Sequence, residues 1–168
     1  MTGISRILLW ITCGFVLGAG GLWAQAPRGL VNQSAPELVL KDLTGRRIDL
    51  KDYRGKVVLL NFWATWCGPC QVELPKFEAW QKKYGAQGLQ VVAVSMDDGD
   101  APVRRTVRRL HLDFPVVMGD AAIGDAYGGV LGLPVTFLIN REGKIVARFQ
   151  GDSDLNKVEL QVKGLLLQ

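Results

Sequence analysis

The composition of this 168-residue chain fits one globular domain with a hydrophobic core, because 48% of its residues are hydrophobic and 21% are charged. The net charge of +4 is small, and the chain has no lysine- and arginine-rich run interleaved with aromatic residues, so nucleic acid is excluded as a predicted partner. The sequence contains no internal repeat and no low-complexity segment.

The N-terminal segment is the first predicted element, and it is apolar. Residues 7–23 carry no charge and have a length between that of a signal-peptide core and that of a short membrane span. Ala24-Gln25-Ala26 resembles a cleavage site, but Pro27 disfavours cleavage there, and a shifted site at residues 19–21 stays open. We expect residues 1–26 to be a signal peptide or, slightly favoured, an uncleaved anchor. In both cases the domain is exported.

A short linker and a hairpin are predicted next. Residues 27–35 are polar and turn-rich and are predicted to be a linker to a domain at residues 36–168. Two short alternating runs within residues 37–50 flank a turn at Asp42–Gly45, a pattern typical of a β-hairpin.

Two cysteines follow the strongest strand pattern of the chain. The apolar run Val57–Trp63 predicts a buried strand, and a helical pattern begins directly behind Cys67 and Cys70. The first cysteine would then lie at the positive end of a helix dipole, which favours its thiolate, the nucleophilic form. A CxxC sequence beside a βαβ pattern indicates a redox site. Since Cys13 lies in the apolar N-terminal segment, the exported domain has only these two cysteines, and so short a loop would stabilise the fold little.

The rest of the chain alternates between strands and helices. The helix behind the cysteines contains Pro75, which should kink it, and is predicted to end at residues 85–88. The further predicted elements are a strand at 90–96, a helix at 101–112, a strand at 114–118, a helix at 121–127, strands at 134–140 and 145–150, and a last helix capped by Ser153 or Asp154. This order predicts an α/β fold with a mixed sheet flanked by helices on both faces.

The arginines of the second helix are expected to form a solvated face rather than a docking patch: Arg104, Arg105, Arg108 and Arg109.

The sequence resembles a known family in three places. Trp66-Cys67-Gly68-Pro69-Cys70 is the thioredoxin active-site sequence, and the longer stretch 61–70 resembles the TlpA/ResA-like branch of membrane-anchored, extracytoplasmic thiol–disulfide oxidoreductases. Glu73-Leu74-Pro75 and Gly132-Leu133-Pro134 resemble the same branch. The resemblance covers residue 35 to the end. It implies a thioredoxin-like mixed sheet with an N-terminal β-hairpin extension, and it implies neither a cofactor nor a metal.

The resemblance also implies a role for Glu73. Asn61 stands where cytosolic thioredoxins have a buried aspartate, and an amide cannot take a proton from the second cysteine. In the TlpA-like branch this role moves to the glutamate that matches Glu73, one helix turn after Cys70. The residues alone would favour a surface carboxylate at the helix N-terminus. If the resemblance holds, burial should raise the pKa of Glu73, and Asn61 should be a hydrogen-bonded structural residue.

Substrate contacts are implied by the resemblance as well. Pro134 resembles the cis-proline that faces the cysteines in this superfamily, although a trans bond is the default for an X–Pro sequence. Val135 follows it where the branch more often has threonine. Trp66, Pro134 and Val135 are therefore the expected substrate-binding residues, whereas His111, the only histidine, is expected to be structural.

The expected activity is thiol–disulfide exchange, with Cys67 as the attacking and Cys70 as the resolving cysteine and Glu73 as the proton acceptor. The Gly-Pro dipeptide resembles that of reducing thioredoxins and favours a reductase supplied by a membrane thiol electron donor. The expected substrate is a disulfide-containing periplasmic protein, for example in cytochrome c maturation.

Two alternatives stay open. A peroxiredoxin-like peroxidase would need a threonine and a proline around the thiol, but Thr65 is one position too close and no proline precedes it. A Cu(I)-binding module could use the two thiolates, but no methionine or histidine cluster completes such a site.

Overall fold

The computed structural model describes residues 29–168, and the predicted signal or anchor segment lies outside this part of the chain. The strands are β1 (Val39–Lys41), β2 (Arg47–Asp49), β3 (Val57–Trp63), β4 (Leu89–Ser95), β5 (Val116–Met118), β6 (Val135–Ile139) and β7 (Ile145–Gln150). The helices are α1 (Gly68–Tyr84), α2 (Asp100–Leu110), α3 (Ala121–Ala126) and α4 (Leu155–Leu166), with 3₁₀ turns at Leu50–Tyr53 and Gly85–Gln87.

Five of the strands form one mixed sheet in the order β5-β4-β3-β6-β7. Strands β3, β4 and β5 are parallel, and β6 and β7 are antiparallel to their neighbours. The central strand β3 is buried over all seven residues, which explains why six of the seven are apolar, because both faces of a central strand are covered. The predicted mixed sheet is confirmed.

The two faces of the sheet have separate hydrophobic cores. Alternate residues of β3 point to opposite faces, so Leu59 and Trp63 pack against α1, α2 and α4, whereas Leu60 and Phe62 pack against the hairpin and α3. Helices therefore cover both faces, as predicted. Within residues 29–168, no helix is both long and apolar enough to cross a membrane.

The predicted β1–β2 hairpin is present, and it lies beside the outer strand of the sheet. Leu43 N donates to Val116 O at 3.0 Å, and Asp42 bridges to Val117 of β5. Residues 32–35, which the sequence places in the linker, hydrogen bond to the start of β7 on the opposite side of the sheet, where Asn32 N donates to Ile145 O at 2.7 Å. The N-terminal part of the described chain thus contacts both outer strands.

Several element boundaries differ from the expected ones by one or two residues, and two of these differences have a clear local reason. Strand β5 begins at Val116 rather than at residue 114, because Pro115 has no N–H to give to a ladder. Helix α2 ends at Leu110, because His111 takes a left-handed conformation with φ 52° and closes the helix. The histidine is exposed in this cap, in agreement with a structural role. Helix α1 continues through Pro75.

Candidate active site

The two cysteines lie at the N-terminus of α1, directly beyond the carboxyl end of β3, and form a disulfide bond. Cys67 is the residue that caps the helix, and its Sγ accepts a hydrogen bond from Cys70 N at 3.2 Å. Pro69 lies in the first helical turn, where its missing N–H has no intrahelical partner to lose. The strand–cysteine–helix arrangement predicted from the sequence therefore places Cys67 where free backbone N–H groups favour a thiolate.

The two sulfur-bearing side chains differ in their access to solvent. Cys67 is 5% exposed and Cys70 is fully buried. Trp66, directly before Cys67, is 72% exposed, and the Gly68-Pro69 pair is exposed as well. The first cysteine therefore keeps a small exposed area next to the exposed Trp66, whereas the second has none.

A cis peptide bond joins Leu133 to Pro134 at the start of β6. Because Val135 pairs with Phe62 near the carboxyl end of β3, this bond lies at the same end of the sheet as the cysteines. Pro134 O accepts a hydrogen bond from Gly151 N at 2.9 Å, which ties the loop after β7 to this end of the sheet. Val135, which the sequence predicts to be a substrate-binding residue, is fully buried in the core. Strand β6 is covered on both faces, so all five of its residues are buried.

Glu73 is a buried carboxyl group one helix turn beyond Cys70. It is 5% exposed, and its Oε2 has no hydrogen-bond partner among residues 29–168. Burial, together with the negative charge of Asp152, raises the pKa of Glu73 to about 7. Glu73 and Asp152 share an open groove whose other lining residues are Pro69, Val72, Ser153 and Leu155. A group with this pKa can both accept and release a proton near neutral pH.

Asn61 is the buried polar residue of β3. Its Nδ2 donates to Thr136 Oγ1 of β6 at 2.9 Å, which confirms the expectation that it is hydrogen-bonded. Its Oδ1 has no partner among the described residues. Because the amide does not ionise, Asn61 supplies no proton acceptor, and Glu73 is left as the buried carboxyl group beside the cysteines.

The loop between β3 and Cys67 is held by a carboxylate that sequence reasoning missed. Asp97, just beyond the end of β4, accepts from Thr65 N at 2.9 Å and from Thr65 Oγ1 at 2.6 Å. Ser95 Oγ donates to the same carboxylate at 2.8 Å. Gln71 Nε2 then donates to Thr65 O at 2.7 Å. A polar residue at the carboxyl end of a parallel strand was the available signal, since functional groups gather at that edge.

Helix α2 reaches the same loop from outside. Arg109 Nη2 donates a hydrogen bond to Gln71 Oε1, the side chain that follows Cys70. The arginines of α2, expected from the sequence to be only a solvated face, thus include one that contacts the helix of the disulfide.

The geometry suits exchange of a disulfide with a partner molecule. One sulfur lies near the surface at a helix N-terminus, the second lies buried within bonding distance, and a carboxyl group with a near-neutral pKa follows on the same helix. Among residues 29–168, no group of three or more His, Cys, Asp or Glu side chains is placed to hold a metal ion.

Comparison with known proteins agrees with this chemistry. Residues 31–148 match the AhpC/TSA family. Over 160 residues the chain is 35% identical to the thiol-disulfide oxidoreductase ResA of Bacillus thuringiensis subsp. konkukian, covering 94% of this chain and 92% of that protein. A crystal structure described as a thiol:disulfide interchange protein DsbE from Chlorobium tepidum matches with a TM-score of 0.75 and 35% identity, over 81% of this chain and 97% of that one. The thioredoxin domain of a Bacteroides vulgatus thiol-disulfide oxidoreductase matches with a TM-score of 0.70 and 28% identity, over 79% and 97% of the two chains.

Proposed function

This chain belongs to the AhpC/TSA family and is a thiol-disulfide oxidoreductase with a thioredoxin-like fold, and from that premise we propose that it reduces disulfide bonds of exported proteins. The observation that carries the proposal is the Cys67–Cys70 disulfide at the N-terminus of α1, where Cys67 caps the helix. Cys67 is 5% exposed at the helix N-terminus, and Cys70 is 0% exposed behind it. This asymmetry supports an attacking role for Cys67 and a resolving role for Cys70.

The exchange proceeds in two balanced steps. The Cys67 thiolate attacks one sulfur of the substrate disulfide, which breaks that bond, releases one substrate thiolate and forms a mixed disulfide. Cys70 then loses its proton and attacks Cys67 Sγ. This step forms the Cys67–Cys70 disulfide and releases the second substrate thiol. Two electrons pass from the protein to the substrate, and a membrane thiol electron donor restores the dithiol.

Glu73 accepts the proton of Cys70 in the second step. Its pKa of about 7, raised by burial and by Asp152, keeps a fraction of the carboxylate available at neutral pH. An ordinary surface carboxylate would be a much weaker base. Asn61 cannot take this role, because its side chain is an amide bound to Thr136.

The substrate disulfide approaches over Trp66, which is the exposed member of the predicted substrate-binding set. Pro134, at the same end of the sheet, orients the backbone of the bound substrate segment. The Gly68-Pro69 pair resembles that of reducing thioredoxins and supports the reducing direction. Periplasmic apocytochrome c is the proposed substrate, and the protein acts outside the cytoplasm while residues 7–23 hold it in the membrane.

A trapping experiment tests the proposal. In Cys70→Ser the first step can proceed and the second cannot, so the substrate should stay disulfide-bonded to Cys67. Proteins isolated with this variant and released by a reductant should carry cysteine pairs, and the variant Cys67→Ser/Cys70→Ser should retain none of them. Failure to trap any protein with a cysteine pair, together with rapid peroxide consumption by the purified dithiol form, would favour the peroxidase alternative.

A further inference from the structure

One face of α2 carries three arginines without a balancing acid. Arg105, Arg108 and Arg109 are spaced by three and four positions, so they lie on one face of the helix, and all three are exposed. None of them forms an ion pair with any residue in 29–168. The first 28 residues of the sequence contain neither aspartate nor glutamate and therefore offer no carboxylate side chain to them. By contrast, Arg104 is paired with Asp100 at 2.7 Å.

This arginine face, Arg105, Arg108 and Arg109, borders the disulfide. Arg109 contacts the side chain of Gln71, the residue directly after Cys70, and Gln71 in turn contacts the loop that leads to Cys67. Arg109 therefore connects the arginine face, through Gln71, to Thr65 in the loop between β3 and Cys67.

The opposite flank of the disulfide has the opposite charge. Positions 71 and 73 are separated by roughly 200° around a helix, so Gln71 and Glu73 point to opposite sides of α1. Glu73 shares its groove with Asp152. A substrate segment that crosses the disulfide thus meets arginines on one side and a carboxylate on the other.

Helix stability alone does not account for the arginine face. The helix dipole stabilises positive charges in the last turn, and this explains Arg108 and Arg109, which lie there. Arg105 lies in the middle of the helix, four positions before Arg109, and two like charges at this spacing destabilise a helix. If this face only contacted solvent, an acidic residue at position 105 would not reduce the stability of the helix.

We propose that the arginine face docks an acidic segment that flanks the disulfide of the protein substrate. The proposal rests on the proposed function and adds the charge of the partner to it. Charge complementarity at the rim of an interface raises the encounter rate. Asp152 on the other flank disfavours the reversed orientation, so the acidic segment lies over α2 when the disulfide lies over Cys67.

Two matched peptides test this. Both contain the same disulfide loop, and one carries three aspartates beside it where the other carries three asparagines. At low ionic strength the reduced wild-type protein should reduce the acidic peptide with a kcat/KM about tenfold higher than the neutral one, mainly through KM, and added salt should remove the difference. In Arg105→Glu/Arg108→Glu the ratio of the two kcat/KM values should fall to about one or below.

The control variant Lys56→Glu/Lys144→Glu makes the same change in net charge. Lys56 precedes β3 and Lys144 precedes β7, so both lie at the end of the sheet away from the cysteines, and both are exposed. This variant should keep the wild-type ratio. A wild-type ratio near one, or a ratio unaltered in the arginine variant, would overturn the proposal.

A binding measurement separates this proposal from the proposed function. The alkylated, linear form of each peptide cannot be reduced, so its equilibrium binding reports docking alone. If the acidic linear peptide binds more tightly than the neutral one, and Arg105→Glu/Arg108→Glu loses this preference, docking on the arginine face is supported. This holds even if neither disulfide peptide is reduced. If both disulfide peptides are reduced and both linear forms bind equally, the proposed reductase function is supported and the proposed docking on the arginine face is overturned.

Discussion

Asp97 holds Thr65 through both carboxylate oxygens, one on the backbone N–H at 2.9 Å and one on the hydroxyl at 2.6 Å. The two residues are separated by 32 positions in sequence and come from the ends of neighbouring parallel strands. Through this contact, β4 fixes the loop from which Cys67 projects. The orientation of the disulfide therefore depends on a residue that takes no part in the exchange.

We expect Asp97→Ala to loosen this loop. The variant removes hydrogen bonds to a charged, buried acceptor, so the free energy of unfolding should fall by roughly 2–3 kcal/mol. Disulfide reduction should slow severalfold, and alkylation of Cys67 in the reduced protein should shift to higher pH. Chemical denaturation and the pH profile of alkylation measure these effects. Asp98→Ala, which changes the exposed neighbour, is the control, and equal behaviour of the two variants would contradict a positioning role for Asp97.

Glu73 should make the stability of the oxidised protein depend on pH. Its pKa is raised from 4.5 to about 7 in the folded state, so the folded protein binds more protons than the unfolded chain between these values. Stability should therefore decrease as pH rises through this window and stay low above it. Glu73→Gln has no carboxyl group at this position and should lack this pH dependence. The free energy of unfolding of the variant minus that of the wild type should therefore increase by on the order of 2 kcal/mol from about pH 5 to pH 8.

Denaturation of both oxidised proteins at a series of pH values measures this difference. The disulfide form is used because its cysteines do not titrate. Glu142→Gln, at an exposed glutamate of the turn before β7, is the control and should follow the wild type at every pH. Parallel curves for wild type and Glu73→Gln would mean that the carboxyl group titrates as an exposed one.

Glu73→Gln should also alter the rate of exchange. Loss of a general base slows proton transfer by on the order of 100-fold, so resolution of the mixed disulfide by Cys70 should become rate-limiting. The increase in wild-type rate around pH 7 should disappear in the variant. Stopped-flow reduction of a disulfide peptide between mildly acidic and alkaline pH measures both profiles. Superimposable profiles would exclude Glu73 as the proton acceptor.

In the reduced protein, Cys67 should react with alkylating agents before Cys70. Cys67 caps the helix N-terminus and is 5% exposed, whereas Cys70 lies one turn into the helix and is 0% exposed. We expect the rate of labelling at neutral pH to differ by at least about tenfold. Mass spectrometry of partially labelled protein identifies the modified residue. Faster labelling of Cys70 would reverse the assignment of the attacking and resolving cysteines.

The N-terminal segment should keep the protein in the membrane. If residues 7–23 are an uncleaved anchor, alkaline washing should leave the full-length chain in the membrane fraction. A soluble extracytoplasmic form that begins near Leu22 or Pro27 would identify the segment as a cleaved signal peptide. Intact mass and N-terminal sequencing distinguish the two.

The parts of the fold that depend on local pattern could be predicted from the sequence. The hairpin, the buried strand β3 and the helix behind Cys67 each follow from apolar spacing and turn residues within one segment. The position of Asp97 at the carboxyl end of β4 could be noted from the sequence, but its partner could not be predicted, because Thr65 follows another strand and only the sheet order brings the two together. The same holds for Asp152, which reaches Glu73 from the loop after β7.

Val135 shows the opposite limit. Its position beside Pro134 favoured a substrate contact, but its side chain packs in the core with Phe62 and Phe137, because β6 is buried on both faces. A residue that follows a predicted contact residue in sequence can therefore be inaccessible, because a strand inside the sheet is covered on both faces.

The segment before β3 has a consequence for self-association. The outer strands of a sheet present unpaired N–H and C=O groups that can pair with another molecule and start aggregation. Here Leu43 bonds to β5 on one side, and Asn32 and Gln33 bond to the first residue of β7 on the other. The hairpin and the residues before it thus occupy part of both exposed edges. A chain shortened to begin at residue 51 would leave two open strand edges, and the protein that folds from it should precipitate at concentrations at which the longer chain stays dispersed.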